Sequence, residues 1–370
     1  MKYMPKCYQY GKQSICDADK KAILDVLVSD NLTGGPATQA FEKAICDYTG
    51  AQYCVVTSSA TAALHMLMTC IGIEQGDEVI TSPNTFVASA NCIIYAGGKP
   101  VFADIETDTA NIDVAEIKKH ITSRTKALLP VHFAGQSCDM EPIHALAKQH
   151  GLYVIEDAAH AIGSDYKGKK VGACAFSDAT VFSFHPVKTI TAGEGGAITT
   201  NNYTLYKKLL ATRSHGIYKE GEMLESWHYE MRHIGYNYRM SDIQAALGLS
   251  QLGKLEMFKR RRREIVDYYN RHLQLPHLVE RHYSHACFHL YPVLVENRKQ
   301  FYEKAKQAGL FLQIHYIPVH TQPYYQRLGY KWGDYPRSER YYHHCVSLPL
   351  YPSLTDEDLE EIVSRLKAIF

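Results

Sequence analysis

A lysine within residues 183–196, SFHPVKTITAGEGG, carries the most informative chemistry in the chain. The segment begins as an apolar strand, and its His–Pro pair ends that strand because proline has no backbone N–H to donate to a sheet. Lys188 follows on the loop, ahead of a Gly–Glu–Gly–Gly turn. A lysine held by rigid neighbours can form a Schiff base with a carbonyl when its pKa is lowered. The segment alone would favour an ordinary exposed loop lysine, and we predict this role for Lys188 because of the features that accompany it.

A carboxylate, Asp157, ends the apolar run LYVIED (152–157) and precedes AAHAIG. In open parallel sheets, ligands bind beyond the carboxyl ends of the strands. A carboxylate at that place can keep a pyridinium nitrogen protonated, which turns the ring into an electron sink. Alone, Asp157 could instead cap the helix that follows. Together with Lys188, it favours pyridoxal 5'-phosphate (PLP) as the cofactor.

Two further segments suit the phosphate and the ring of such a cofactor. In TSSATAALHM (57–66), small polar residues open a helix whose N-terminal N–H groups and dipole could bind a phosphate. A capped helix with nothing bound explains that segment equally well. Phe86, in SPNTFVAS (82–89), could stack on a flat ring or could be an ordinary core residue.

Polar residues also precede a strongly amphipathic helix in residues 233–252. Asn237 and Arg239 lie in the loop, where binding residues are often found. Ser241 and Gln244 have the spacing of a capping box, which predicts the helix start. A ligand role for Asn237 is compatible with that cap.

Short apolar runs alternate with helical patterns between residues 40 and 200, which predicts an α/β fold with a mostly parallel central sheet and flanking helices. The predicted strands are 53–57, 78–81, 100–104, 126–132, 152–157 and 179–184, and the predicted helices are 61–70, 87–95, 114–121 and 141–148. After residue 251 the pattern changes to a smaller α+β domain with helices at 254–273, 299–309 and 356–370. We predict a large domain, 1–252, with an N-terminal arm, 1–16, and a small domain, 253–370.

The composition excludes several classes of protein. The 370 residues are 46% hydrophobic and 21% charged, with a net charge of +1, so neither nucleic acid nor a membrane surface is expected as a partner. The basic run 259–263 is interpreted as a solvated helix face, with a phosphorylated ligand as the less favoured alternative. The ten cysteines are scattered, several of them in apolar runs as at Cys54, Cys70 and Cys92, which indicates free thiols and no metal site. Without a signal peptide or an apolar span, the expected location is the cytoplasm.

Five motifs, in this order along the chain, resemble the DegT/DnrJ/EryC1/StrS group of PLP-dependent sugar aminotransferases. They are SSATAAL, SPNTFVAS, EDAAHAIGS, SFHPVK with GEGG, and GYNYRMSDIQAALG. The resemblance extends from about residue 17 to the C-terminus. It implies the type I aspartate-aminotransferase fold.

The resemblance also implies roles for individual residues. Lys188 matches the Schiff-base lysine and Asp157 the partner of the ring nitrogen; the other cofactor contacts would be Ala60, Thr61, Phe86, His160, Ser183 and Asn237. His160 falls where many relatives have glutamine, which leaves its role open. Asn237 matches an asparagine that reaches the phosphate of a neighbouring subunit, which implies a homodimer with shared active sites. The substrate contacts would be Tyr10, Asp30, Asn31, Leu32, Thr33, Gln313, Ile314, His315 and Tyr316.

Within the family, NLTGGP (31–36), SFHPVK and LQIHY (312–316) look most like the members that act in pseudaminic acid synthesis. This implies amination of C4 of UDP-4-keto-6-deoxy-N-acetyl-β-L-altrosamine, with glutamate as the usual donor of the family. Alternatives are another keto sugar, such as UDP-4-keto-arabinose or a dTDP- or GDP-linked sugar, and a non-catalytic PLP-binding regulator. Family members that dehydrate sugars have histidine in place of the lysine, so Lys188 argues against that activity.

Overall fold

The computed structural model describes residues 6–219 and 225–369. Residues 1–5 of the predicted arm and residue 370 of the predicted last helix lie outside the described residues. The strands are Tyr8–Gln9 (β1), Tyr53–Thr57 (β2), Glu78–Thr81 (β3), Lys99–Phe102 (β4), Thr125–Leu129 (β5), Tyr153–Asp157 (β6), Asp165–Tyr166 (β7), Lys169–Lys170 (β8), Ala179–Ser183 (β9), Gly196–Thr200 (β10), Ile217–Tyr218 (β11), Glu230–Met231 (β12), Ser284–His285 (β13), Tyr291–Leu294 (β14), Leu310–Phe311 (β15) and Cys345–Leu348 (β16).

The eight predicted helices are present to within a few residues, and five helices of the described residues, at 17–27, 36–49, 203–213, 323–327 and 336–344, were not predicted. In chain order, the helices are Asp17–Leu27 (α1), Pro36–Thr49 (α2), Ala60–Cys70 (α3), Ala88–Tyr95 (α4), Val114–His120 (α5), Met140–His150 (α6), Tyr203–Arg213 (α7), Asp242–Leu252 (α8), Leu255–His272 (α9), Arg298–Gln307 (α10), Pro323–Arg327 (α11), Pro336–His344 (α12) and Asp356–Lys367 (α13). Ser241 and Gln244 form the predicted capping box at the start of α8.

The central sheet confirms the predicted α/β class. In the described part of the chain it has seven strands in the order β2, β10, β9, β6, β5, β3, β4. All run in one direction except β10, which is antiparallel to both of its neighbours. Every residue of β3, β9 and β10 is buried. Continuous burial of this kind is expected when helices cover both faces of a sheet.

Successive strand residues pack into different hydrophobic clusters. Val55 and Val181 lie with side chains of α3, α4 and α7, whereas Val56 and Phe182 lie with side chains of α2 and α8. The alternation follows from the two-residue period of a strand. Helices therefore pack on both faces of the sheet, and they fix the positions of its strand ends.

The start of α3 is built close to the sheet. Ser59 is its N-cap, and the Ser59 hydroxyl accepts a hydrogen bond from the N–H of Ala62. At Gly196, a Cβ atom would lie 2.5 Å from the nitrogen of Ala60, a distance that no side chain tolerates. Glycine at this position lets β10 pass directly beneath the first turn of α3.

The C-terminal elements form a hydrophobic cluster of their own. Side chains of α9, α10, α13, β14, β15 and β16 share this cluster with Tyr8. Strand β1 pairs with β15 in parallel, and β14 pairs with β16 in antiparallel fashion. The α+β character expected after residue 251 is present, while the division at residues 252 and 253 stays a prediction.

The interpretation of the basic run 259–263 as a solvated helix face was wrong. Lys259 and Arg262 are buried, and the Nζ of Lys259 donates to the Oδ2 of Asp165 at 3.0 Å. Arg263 donates two hydrogen bonds, of 2.6 and 2.8 Å, to the carboxylate of Glu280. The sequence of the run does not reveal these ion pairs, because their acceptors, Asp165 and Glu280, lie in other segments of the chain.

Within residues 6–219 and 225–369, no helix is long and apolar enough to cross a membrane. No three histidine, cysteine or acidic side chains of those same residues come together as a metal site. None of the ten cysteines, all of which lie in the described part of the chain, is in a disulfide, and Cys54, Cys70 and Cys92 are buried as predicted.

Candidate active site

A cavity of about 420 Å³ lies at the carboxyl edge of the central sheet. The ends of β6 and β9, the start of α3 and the segment after β15 meet there. Twelve of the residues predicted from the sequence line it: Tyr10, Ala60, Thr61, Phe86, Asp157, His160, Ser183, Lys188, Gln313, Ile314, His315 and Tyr316. Parallel strands bring their carboxyl ends to one edge, which explains why residues so distant in sequence converge.

Lys188 lies on the loop after β9, and its backbone N–H donates to the carbonyl of His185 at 2.9 Å. Burial lowers the pKa of the Lys188 ammonium to about 8, and the negative charge of Asp157 opposes this shift without cancelling it. Among the described residues, the Lys188 amine has no hydrogen-bond or ion-pair partner. A larger fraction of this amine is therefore neutral near pH 7 than of an ordinary lysine.

Asp157 ends β6 and is buried. The hydroxyl of Ser89 donates to its Oδ2 at 2.6 Å, and the backbone N–H of Ala159 donates to its Oδ1 at 3.1 Å. These two bonds fix the carboxylate in the floor of the cavity. Ser89 was not predicted, although it lies in the same SPNTFVAS motif as Phe86, three residues further on.

The residues fit the phosphate and the ring of PLP. The N–H groups of Ala60 and Thr61 are in the first turn of α3, where the helix leaves backbone donors free and its dipole favours an anion. The hydroxyl of Ser183 faces the same cavity. Phe86 is 58% exposed beside that cavity, which is unusual for a phenylalanine and leaves its ring available for stacking.

His160 is held on both ring nitrogens. Its Nδ1 accepts a hydrogen bond from the N–H of Ala134 at 3.3 Å, so the neutral ring carries its proton on Nε2. That Nε2–H donates to the hydroxyl of Tyr316 at 3.0 Å. Burial and the charge of Lys188 keep the pKa of His160 well below its usual range. The hydroxyl proton of Tyr316 is left free to be donated into the cavity.

The segment after β15 closes one side of the cavity. His315 contacts Tyr10 with a ring separation of 5.1 Å, and its Nδ1 pairs with the hydroxyl of Ser347 at 2.8 Å. Burial, and then the charge of Lys188, lower the pKa of His315 to about 3. This wall is therefore aromatic and uncharged at neutral pH.

Other predicted residues lie elsewhere in the single chain. Asn237 is exposed and pairs with Ser214 in an isolated bridge, outside the cavity. Asp30, Asn31, Leu32 and Thr33 are also exposed and outside it, and Thr33 pairs with Ser241 near the start of α8.

The cavity also contains residues that sequence reasoning missed. His185 and Glu194 lie at its exposed side, and His289 lies buried at its back. His185 and Glu194 belong to the segment 183–196 that was singled out for Lys188. His289 lies in no segment that the sequence analysis singled out.

A family model, the DegT/DnrJ/EryC1/StrS aminotransferase family, matches residues 13–367. The spore coat polysaccharide biosynthesis protein SpsC of Bacillus subtilis is 41% identical, over 97% of this chain and 95% of its own. The UDP-4-amino-4,6-dideoxy-N-acetyl-beta-L-altrosamine transaminase of Helicobacter pylori is 37% identical, over 99% of this chain and 98% of its own.

Solved structures agree with this match. Helicobacter pylori PseC, an aminotransferase involved in the biosynthesis of pseudoaminic acid, superimposes with a TM-score of 0.92 at 36% identity, over 99% of both chains. The PLP form of the putative sugar aminotransferase Spr1654 from Streptococcus pneumoniae gives 0.91 at 30% identity, over 98% of both chains. The chain thus belongs to the DegT/DnrJ/EryC1/StrS aminotransferase family, whose members are PLP-dependent sugar aminotransferases.

Proposed function

We propose that this aminotransferase moves the amino group of L-glutamate to C4 of UDP-4-keto-6-deoxy-N-acetyl-β-L-altrosamine, a step of pseudaminic acid biosynthesis. The similar Helicobacter pylori transaminase and the PseC structure support this choice of sugar. The free thiols suit a reducing compartment, so the proposed location is the cytoplasm.

The observation that carries the chemistry is an unpaired lysine amine of lowered pKa in one cavity with a buried carboxylate. When bound, PLP supplies an electron-withdrawing ring that stabilises negative charge on the carbon being deprotonated. Lys188 would hold the cofactor. Its freed Nζ would take the proton from the α-carbon of the amino donor and later return a proton to the product, acting as general base and acid.

Asp157 would keep the ring nitrogen of the cofactor protonated. Its bonds from Ser89 and Ala159 orient the carboxylate before anything binds, so none of the binding energy is needed to arrange it. Ala60, Thr61 and Ser183 would bind the phosphate, and Phe86 would cover the ring.

The proposed substrate wall consists of Tyr10, Gln313, Ile314, His315 and Tyr316. Because His160 donates a hydrogen bond to the oxygen of Tyr316, the hydroxyl of Tyr316 would donate its own proton to an acceptor on the ligand. This gives His160 a positioning role through Tyr316, in addition to any contact with the cofactor.

The proposed enzyme is a homodimer whose sites are completed by the second subunit. Asn237 and residues 30–33 lie outside the cavity of their own chain, yet their motifs match cofactor- and substrate-binding positions of the family. The same regions expose apolar side chains: Val28 is 87% and Ile234 is 69% exposed. A second copy covering these surfaces would bury them and supply Asn237 to the phosphate.

A different keto sugar is the main alternative, and the similarity to SpsC of Bacillus subtilis favours it. SpsC is more similar in sequence than the altrosamine transaminase. Both alternatives use the same lysine and carboxylate, so they differ only in the substrate wall.

Attachment of PLP to the apoprotein should depend on pH through Lys188. Only the neutral amine attacks a carbonyl, and the amine is protonated below its pKa of about 8. The rate of attachment, followed by the absorbance of PLP, should therefore rise as the pH increases through about 8 and level off above it. Lys188→Ala should show no such attachment. A midpoint near 10.5, the pKa of an ordinary lysine, would contradict a desolvated amine.

Turnover on a panel of keto sugars tests the proposed substrate. The purified holoenzyme is mixed with glutamate and UDP-, dTDP- or GDP-linked 4-keto sugars, and 2-oxoglutarate is measured. We expect the altrosamine derivative to react fastest, Lys188→Ala to be inactive, and Lys148→Ala, an exposed lysine on α6, to behave as the wild type. Preference for another sugar would refute the substrate, and the absence of turnover on every sugar would favour a regulator.

Mixing two inactive variants tests the shared site. Lys188→Ala and Asn237→Ala should each lose activity as homodimers. A mixed dimer would have one intact site, made of Lys188 from one chain and Asn237 from the other, so random exchange should restore up to about a quarter of wild-type turnover. No recovery after verified subunit exchange would show that both residues act in the same chain.

A further inference from the structure

His289 is a buried histidine at the back of the cavity, with 4% of its surface exposed. Its ring packs on that of His160 with centroids 4.5 Å apart. The Nδ1 has no hydrogen-bond partner, and no described residue bonds its Nε2 either. Buried polar groups in folded proteins are almost always paired. The Nδ1 is enclosed by protein, so a ligand in the cavity would pair with the Nε2 of this imidazole.

The backbone holds His289 in place from both sides. Its N–H donates to the carbonyl of Ala134 at 2.9 Å, and its own carbonyl accepts a hydrogen bond from Nη1 of Arg262 at 3.3 Å. These two bonds fix the backbone of His289, and the imidazole packs on the ring of His160.

Arg262 places a positive charge next to the backbone of this histidine. The guanidinium is 1% exposed and donates to three backbone carbonyls, those of Phe288, His289 and Leu350. Burial lowers the pKa of Arg262 to about 10, which still leaves it charged at neutral pH. It has no carboxylate partner among the described residues. A buried cation without a counterion favours negative charge in the space in front of it.

The carboxylates already in the cavity do not occupy that space. Asp157 is bonded to Ser89 and Ala159, and Glu194 is exposed at the other side. No arginine is among the described residues that line the cavity. Among the described residues that line the cavity, His289 has a buried imidazole with no hydrogen-bond partner, so it is available to a carboxylate of an amino-acid donor.

We propose that His289, with the charge of Arg262 next to its backbone, binds a carboxylate of the amino-acid donor through an imidazole N–H. The inference rests on the proposed function, in which that donor is glutamate. His289 is the binding residue. Arg262 is a positioning residue, which holds His289 and adds its field.

His289→Gln and His289→Met form the matched pair that tests this role. The two side chains have similar length and flexibility, but only the amide can donate a hydrogen bond. The glutamate half of the reaction is followed by the absorbance of the bound cofactor. The methionine variant should need roughly 10- to 100-fold more glutamate for half-saturation, because it loses one charge-assisted hydrogen bond. Glutamine should recover part of that loss. The reaction of the loaded enzyme with the keto sugar should keep the wild-type half-saturation in both variants.

Binding of glutarate separates this inference from the proposed function. Glutarate has the carboxylates of glutamate but no amino group, so its binding to the holoenzyme, measured by calorimetry, needs no turnover. We expect it to weaken in His289→Met by the same factor as glutamate. Equal affinity in wild type, glutamine and methionine variants would overturn the role of His289, even if the enzyme aminates the expected sugar. Failure of the wild type to use glutamate would refute the donor instead, and the glutarate comparison would still decide the role of His289.

Discussion

A lysine amine that is to react near neutral pH must be kept from water and from close carboxylates, and the site is arranged around that constraint. Desolvation lowers the pKa of Lys188 to about 8, although Asp157 in the same cavity acts in the opposite direction. The two oxygens of Asp157 accept hydrogen bonds from Ser89 and Ala159, and the Lys188 amine forms no ion pair with this carboxylate.

The central sheet makes this arrangement possible. Strands β6 and β9 are parallel neighbours, with Asp157 paired in register with Val181, two residues before Ser183 at the end of β9. The carboxylate and the lysine loop therefore leave the sheet at the same edge. Antiparallel β10 returns beneath α3, where Gly196 leaves room for the helix start that would bind a phosphate. Helical layers on both faces fix these distances.

Local patterns were sufficient to predict the large-scale fold and the centre of the site, whereas Tyr10, His160 and residues 313–316 were assigned only through the family resemblance. Consecutive apolar residues predicted the strands, and Lys188, Asp157, Phe86 and the start of α3 lie on or just after them, so one sheet edge gathers them. Interactions between distant segments could not be predicted in this way. The bond from Ser89 to Asp157 joins residues 68 apart, and the partly buried ion pair of Lys259 with Asp165 joins residues 94 apart. The backbone of His289 is held by hydrogen bonds with Ala134 and Arg262, and neither residue lies in a recognisable motif.

The claim that Lys188 holds the cofactor is tested most directly by chemical trapping. The holoenzyme is reduced with borohydride, digested with a protease, and the peptides are analysed by mass spectrometry. The account predicts reduced PLP on the peptide that contains Lys188, with other lysines unlabelled. Labelling at a different lysine, or no label on a holoenzyme that turns over, would contradict it.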